Sequence, residues 1–444
     1  MARFDDHPTV VAVRRTIPLP RSDAPLDAAW LRRLCLDAGA NDVGFVEIER
    51  PELAEERRHV AALFPQTQSL VSIVCRMNRE PVRRVQRSVA NAEFHHVGHD
   101  VNEVAHRIVS SLEKLGVRAV NPPMAFPMEA DRWPERMWVV SHKPVAVAAG
   151  LGMMGIHRNV IHPKFGNFIL LGTILLESAV SEYSRPTSYN PCLECRLCVA
   201  ACPVGAIKSD GQFDAASCYT HNYREFMGGF GDWAEHIADA ADGRDLRKRV
   251  EPAEQVSMWQ SLAFGPNYKS GNCIAVCPAG EEVIGPFLAD RAGFLDDIVK
   301  PLQQNTETVY VVADSDAEAF VSKRFPHKRR RRVRGSLLPQ TIGGFLFGIR
   351  ITFQREQSVG LNAVYHFTFT GVESAQATVT IRDKTIEVQS GLHGTADCAV
   401  TADTTTWLGF LRKEKSIVWA IVRRKVRVKG KLSLLTAFGK CFPT

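Results

Sequence analysis

Seven of the chain's eleven cysteines fall between Cys192 and Cys277, and that crowding constrains the fold more than any other feature. The run PCLECRLCVAACP sets Cys192, Cys195, Cys198 and Cys202 in the order C-x2-C-x2-C-x3-C-P. This spacing curls the backbone so that three thiolates surround one iron–sulfur cubane while the fourth points to a second. Structural zinc is disfavoured, because zinc takes separated cysteine pairs and lacks the trailing Cys-Pro. Disulfides are disfavoured too. The start, MARFDDHPTVVAVRR, carries acids and no apolar leader, so the expected compartment is cytoplasmic.

A second stretch, KSGNCIAVCPAG, repeats the C-x3-C-P end with Cys273, Cys277 and Pro278, but Ser270 stands where a further cysteine would complete the pattern. Exchange between the two motifs assigns Cys192, Cys195, Cys198 and Cys277 to one 4Fe-4S cluster. Cys202, Cys273 and Cys218, from AASCYTHNYRE, are assigned to the second. Its fourth corner has three open readings: ligation by Ser270, ligation by a neighbour such as His221 or a water, or a 3Fe-4S cluster. A serine alkoxide is a poorer iron ligand than a thiolate, being harder and more difficult to deprotonate.

With 444 residues the chain has room for two or three domains. Its 45% hydrophobic and 23% charged residues are those of a soluble globular protein, and no apolar run of about 18 residues suggests a membrane span. We divide it into an N-terminal extension (1–27), an α/β domain (28–185), an inserted ferredoxin-like two-cluster domain (186–285), a helical and basic linker (286–334) and a separate α+β domain (335–444). AAWLRRLCLDAGA and NEVAHRIVSSLEKLG read as helices, the second with Val101, Val104, Ile108, Val109, Leu112 and Leu115 near one face, and SLVSIVCRM reads as a strand. KRFPHKRRRRVR, residues 323–334, carries eight Lys/Arg and no acid. It reads as a solvated linker with an anion-attracting face, open to membrane-surface contact; nucleic acid is not an expected partner.

KPVAVAAGLGMMGIHRN holds Gly150, Gly152 and Gly155 in G-x-G-x-x-G order, making them cofactor-binding candidates. A dinucleotide loop is disfavoured, because Pro163 and Gly166 fall where its phosphate-binding helix should continue.

This glycine stretch, running on through NVIHPKFGNFILLGTILLE into the cysteine motif and Cys218, resembles the epoxyqueuosine reductases, relatives of the cobalamin-dependent reductive dehalogenases. The resemblance covers residues 28–285. It implies a cobalamin between the α/β domain and the clusters, fed with electrons by ferredoxin, flavodoxin or their reductases. Where that family carries an acidic proton donor this chain has VVSHKP. Ser141 stands in the aspartate's place, and His142 becomes the candidate proton donor. With this change and Ser270, epoxyqueuosine itself is not the expected substrate.

Residues 335–444 are similar to the sterol carrier protein type of lipid-binding domain. VYHFTFTG, ATVTIRD and TIEVQSG read as antiparallel strands, and TTTWLGFL and LSLLTAF as apolar-faced helices, with N-cap candidates from Thr401 to Thr406. The resemblance implies an apolar tunnel lined by Leu408, Leu411, Ile417, Val418, Leu434, Leu435 and Phe438. The whole reads as an iron–sulfur oxidoreductase acting on a hydrophobic substrate. The alternative is a non-catalytic ferredoxin-type carrier with a lipid- or partner-docking domain.

Overall fold

The structure is a computed structural model, and it describes residues 4–15, 24–132, 136–335 and 338–443. Residues 1–3 and 16–23 of the expected extension lie outside the described residues.

The N-terminal sheet has four strands in the order Asp42–Glu47, Ser69–Arg76, Ile169–Leu176, Ala119–Val120. Every pairing is antiparallel, with Val43 opposite Ile73 and Ile73 opposite Gly172. Helices cover both faces, so the Ser69–Arg76 strand is buried along nearly its whole length. Alternate side chains enter different cores. Val71, Ile73 and Cys75 meet the long Arg87–Lys114 helix, while Leu70 and Val74 meet residues of the His142–Ala148 helix. The long helix begins about four turns before its expected start, and Leu115 is exposed rather than on the buried face. Gly116, at φ 79°, ends it.

The cysteine region contributes short helices, Leu197–Ala201, Ala215–Asn222 and Asn272–Ala275, each carrying or preceding a cysteine. Asn91 of the long helix docks the second motif: its Oδ1 accepts from Tyr268 N at 2.8 Å and its Nδ2 donates to Tyr268 O at 3.1 Å.

The basic run is not a linker. Arg329–Val333 is a strand paired in parallel with Thr308–Val312, and the Asp316–Arg324 helix crosses between them. Val309, Val311, Ala317 and Val321 join the core of the N-terminal part. The cations find carboxylates: Lys328 meets Glu307 at 3.0 Å, Arg332 meets Glu318 at 2.7 Å, and Arg334 pairs with Glu235. Arg331 Nε approaches Glu254 Oε2 to 2.5 Å as an ion pair outside hydrogen-bond alignment. Composition marked the charges; the partners that absorb them come from distant segments.

The C-terminal part is a five-stranded sheet ordered Thr385–Ser390, Ala375–Arg382, Ala363–Thr370, Cys398–Asp403, Val426–Gly430. All its pairings are antiparallel except that of Cys398–Asp403 with Ala363–Thr370. Ala363, Tyr365, Phe367 and Phe369 alternate into a core shared with Trp407, Phe438 and the Ile342–Thr352 helix. Asp403, not a threonine, caps the Thr404–Leu411 helix, accepting from Thr406 N at 2.9 Å and Thr406 Oγ1 at 2.7 Å.

Candidate iron–sulfur site

The loop leading to Cys198 holds Glu194 and Arg196 at φ 50° and 59°, left-handed conformations that non-glycine residues adopt only under local constraint. They turn the chain tightly enough for three cysteines to share one neighbourhood. Burial raises the Cys198 thiol, and the nearby thiols of Cys273, Cys277, Cys195 and Cys192 raise it further. Cys277, pushed up to about 12 by burial, also feels Cys195 and Cys192. Cys192 packs with it beside Ile161.

Cys218 is raised by burial and then by Cys202 and Cys273. Cys273 is pushed up to about 12 by burial, with Cys202 again its neighbour. Burial raises Cys202 as well, opposed by the N–H groups of Val204, Ala206, Ile207 and Gly205; Ala206 N donates to its Sγ at 3.3 Å. Such N–H donors are what a cluster thiolate needs.

All seven cysteines are free of disulfides. Among the described residues, no three His, Cys, Asp or Glu side chains converge closely enough to hold a single metal ion. The thiols are neighbours in two overlapping sets, Cys198 with Cys192, Cys195 and Cys277, and Cys218 with Cys202 and Cys273, with Cys273 also near Cys198, a donor set of the kind iron–sulfur clusters take.

Ser270 lies at the head of the helix carrying Cys273. Its N donates to Asn222 Oδ1 at 2.9 Å and its Oγ accepts from Asn272 N at 3.4 Å. His221 Nδ1 accepts from Tyr310 N on the Thr308–Val312 strand at 3.4 Å, and its Nε2 is buried without a hydrogen-bond partner. Burial, with Lys269 and Lys328 adding to it, lowers its pKa to about 3.

The expected proton donors have other duties. His142 Nδ1 is 2.9 Å from Thr173 Oγ1 and Nε2 is 3.0 Å from Pro123 O, so both ring nitrogens are engaged. Ser141 Oγ accepts from Trp138 Nε1 at 2.8 Å, and its N donates to Glu56, itself held by Arg136 at 2.8 and 2.6 Å. The pair anchors a loop.

The three glycines pack protein against protein. A Cβ at Gly150 (φ 76°) would run into the carbonyl of Arg185, one at Gly152 (φ 143°) into that of Ile161, and one at Gly155 into the His157 ring. They leave no cradle for a ligand. His157 is engaged on both ring nitrogens, by Asn159 N and Asn167 Nδ2, and His162 by Asp42, Lys164 N and Phe165 N. None is a free axial ligand for a corrinoid. One cavity, of about 540 Å³, is an open groove on the long helix lined by Pro81, Val89 and His96. We assign no residue to a corrinoid.

Two features escaped the sequence reading. Lys143, the residue after His142, has an exposed side chain whose pKa is lowered by surrounding protein and raised again by the thiols of Cys273 and Cys218 near it. Its Nζ donates to Arg158 O at 2.7 Å and Asn159 Oδ1 at 2.8 Å. Near Cys218 and Cys273 stands a cluster of half-buried aromatics, with Tyr223 and Tyr268 centroids 5.5 Å apart, Phe226 and Tyr268 4.5 Å, and Phe126 and Phe226 4.6 Å. Tyr219 and Tyr223, four apart on the cysteine-bearing helix, were the available signal. In the C-terminal part Leu408 and Phe438 are buried, and Leu411, Ile417, Leu434 and Leu435 pack against the same core. Val418 faces outward at 65% exposure and lines nothing.

Residues 353–443 match the SCP-2 sterol transfer family. The preceding part is similar to epoxyqueuosine reductases of Vibrio cholerae (32% identical over 89 residues, 20% of this chain and 24% of the relative), Gloeobacter violaceus (27% over 173 residues, 37% and 49%) and Listeria monocytogenes (27% over 199 residues, 43% and 49%). The chain is a relative of the epoxyqueuosine reductases with an SCP-2 domain at its C-terminal end. The match spans at most about half the length of these relatives.

Among solved structures, an epoxyqueuosine reductase from Streptococcus thermophilus is similar at TM-score 0.36 and 15% identity, over 61% of this chain and 75% of that one. A reductive dehalogenase described in terms of B12-dependent dehalogenation is similar at TM-score 0.37 and 16% identity, over 61% and 37%. A further similar structure is an epoxyqueuosine reductase with a modified tRNA stem loop (TM-score 0.29, 16% identity, 43% and 56%). Among the described residues no helix is long and apolar enough to cross a membrane.

Proposed function

We propose that this chain is an iron–sulfur oxidoreductase that carries electrons singly through two clusters to an apolar molecule retained by its SCP-2 domain. The clusters supply one-electron chemistry, with potentials tuned by charge, hydrogen bonds to sulfur and exposure. Cys192, Cys195, Cys198 and Cys277 would hold one, and Cys202, Cys218 and Cys273 the other. Ala206 N–H eases negative charge on Cys202, and the Lys143 ammonium does so near Cys218 and Cys273.

The observation that carries the coupling of the two halves is the packing of the Ile342–Thr352 helix, part of the SCP-2-side core, against the Ala215–Asn222 helix that bears Cys218. A cavity of about 240 Å³ lies at this junction, bordered by Phe213 and Asp214 on one side and Ile351, Phe353 and Ile386 on the other. Arg355 reaches across to Asp210 at 3.2 Å. This packing of the Cys218 helix against the C-terminal apolar core supports the coupling.

Anaerobic reconstitution with iron and sulfide counting, EPR and lipid extraction tests the reading. About eight irons per chain are expected, as two cubanes require, together with a copurifying apolar molecule. About four irons would remove the relay, and failure to bind a fluorescent fatty acid would remove the substrate half. Reduction of the clusters without turnover of any bound molecule would leave an electron carrier. A spectral change on adding cobalamin to the reduced protein would place a corrinoid in the path.

A further inference from the structure

The Ile417–Val422 helix, IVWAIV, is apolar all round yet lies on the surface. Ala420 is buried, and Ile417 and Ile421 pack against the C-terminal core. Val418, Trp419 and Val422, which share the opposite face by their i, i+3 and i+4 spacing, are 65%, 63% and 64% exposed, and Leu432 nearby in sequence is 60% exposed. An outward stripe of this kind is normally covered.

Its surroundings indicate by what. From Arg412 to Lys431 the chain carries nine Lys/Arg and one acid, Glu414. The cations at 328–334 are largely absorbed by carboxylates. Arg412 reaches Glu414 at 3.9 Å, but among the described residues no carboxylate pairs with Arg423, Arg424, Arg427, Lys429 or Lys431. Arg423, Arg424 and Lys425 follow the helix directly, and Arg427 and Lys429 are exposed on the edge strand Val426–Gly430.

We propose that the Ile417–Val422 helix and its flanking cations dock onto the anionic surface of a phospholipid bilayer. A tryptophan set among aliphatic side chains and ringed by cations is the composition of an interfacial segment: the apolar stripe enters the headgroup boundary and the cations meet lipid phosphates. Six residues cannot span a bilayer, so the contact is peripheral. Nucleic acid would satisfy the charges but leave Val418, Val422 and Leu432 in water. A second copy docking through the same surface would bring like charges together. The docking does not require the clusters, and it stands whether or not the domain's core holds a lipid.

The test is cosedimentation of the full chain with vesicles of phosphatidylcholine alone and of phosphatidylcholine with phosphatidylglycerol. Binding to the second only, weakened by added salt, is expected. The triple variant Arg423→Gln, Arg424→Gln, Lys425→Gln should bind about a hundredfold less well, and Trp419→Ser should lose binding at unchanged charge. All four side chains are exposed, and an unaltered melting curve would exclude misfolding. Equal sedimentation with neutral vesicles, no sedimentation at all, full retention by the triple variant, or capture of an RNA hairpin without vesicle binding would each overturn the proposal.

Discussion

Lys143 lies beside Cys273, although the two come from opposite ends of the cysteine region's supporting structure: the lysine opens the His142–Ala148 helix and the cysteine sits in the Asn272–Ala275 helix. A fixed cation beside a thiolate favours the more negatively charged, reduced state of whatever that thiolate ligates. Lys143→Met should therefore lower the midpoint potential of the second cluster, by on the order of 60 mV for a tenfold change in a one-electron equilibrium. EPR-monitored redox titration reads this directly, with the first cluster as the internal reference; an unmoved potential would separate Lys143 from that cluster.

Ser270→Cys restores the missing sulfur at the head of the helix that carries Cys273. If position 270 is the fourth corner, the variant should show a changed EPR spectrum for the second cluster and greater resistance to loss of iron in air. The first cluster should be unaffected. Identical spectra in both proteins would assign the corner elsewhere.

Glu254 is the shared anion of two buried guanidinium groups. Arg331 lies 2.5 Å from it and Arg224 3.5 Å, and Arg224 also meets Asp232 at 2.5 Å. Removing one partner from a buried set leaves a charge with no compensation. Glu254→Gln should cost roughly 3–5 kcal/mol in the stability of the N-terminal part, measured by denaturant unfolding, and should release the Arg329–Val333 strand to proteolysis first.

Asp403 is held below the ordinary carboxylate range, chiefly by its hydrogen bond from Thr406, with burial acting weakly the other way. A depressed folded pKa means the cap stabilises fully above the unfolded value of about 3.9 and is lost as pH falls through the folded value. Asp403→Ala should cost about 1 kcal/mol at neutral pH. Asp403→Asn keeps a capping oxygen without a titrating group, so its acid-side stability curve should be flatter than wild type. Unfolding of the C-terminal part over pH 2–6 distinguishes the three proteins.

Much of the architecture is legible locally. The cysteine spacing and the alternation of Tyr365, Phe367 and Phe369 each express a short-range backbone geometry, which a few neighbouring residues suffice to encode. Val418 is exposed because it lies on the outer side of a short helix that is apolar all round, and nothing local says which side of such a helix meets the core.

By itself, then, the sequence determined that cysteines organise the middle of this chain and that its end is an alternating sheet with apolar helices. Only the tertiary structure decided that residues 329–333 form a strand, that His142 has both nitrogens occupied, and that Lys143 stands among the thiols. The reason is physical: spacing governs which side chains share a turn, whereas charge neutralisation and hydrogen-bond satisfaction depend on groups such as Glu254, Pro123 and Cys273 that folding alone brings within reach.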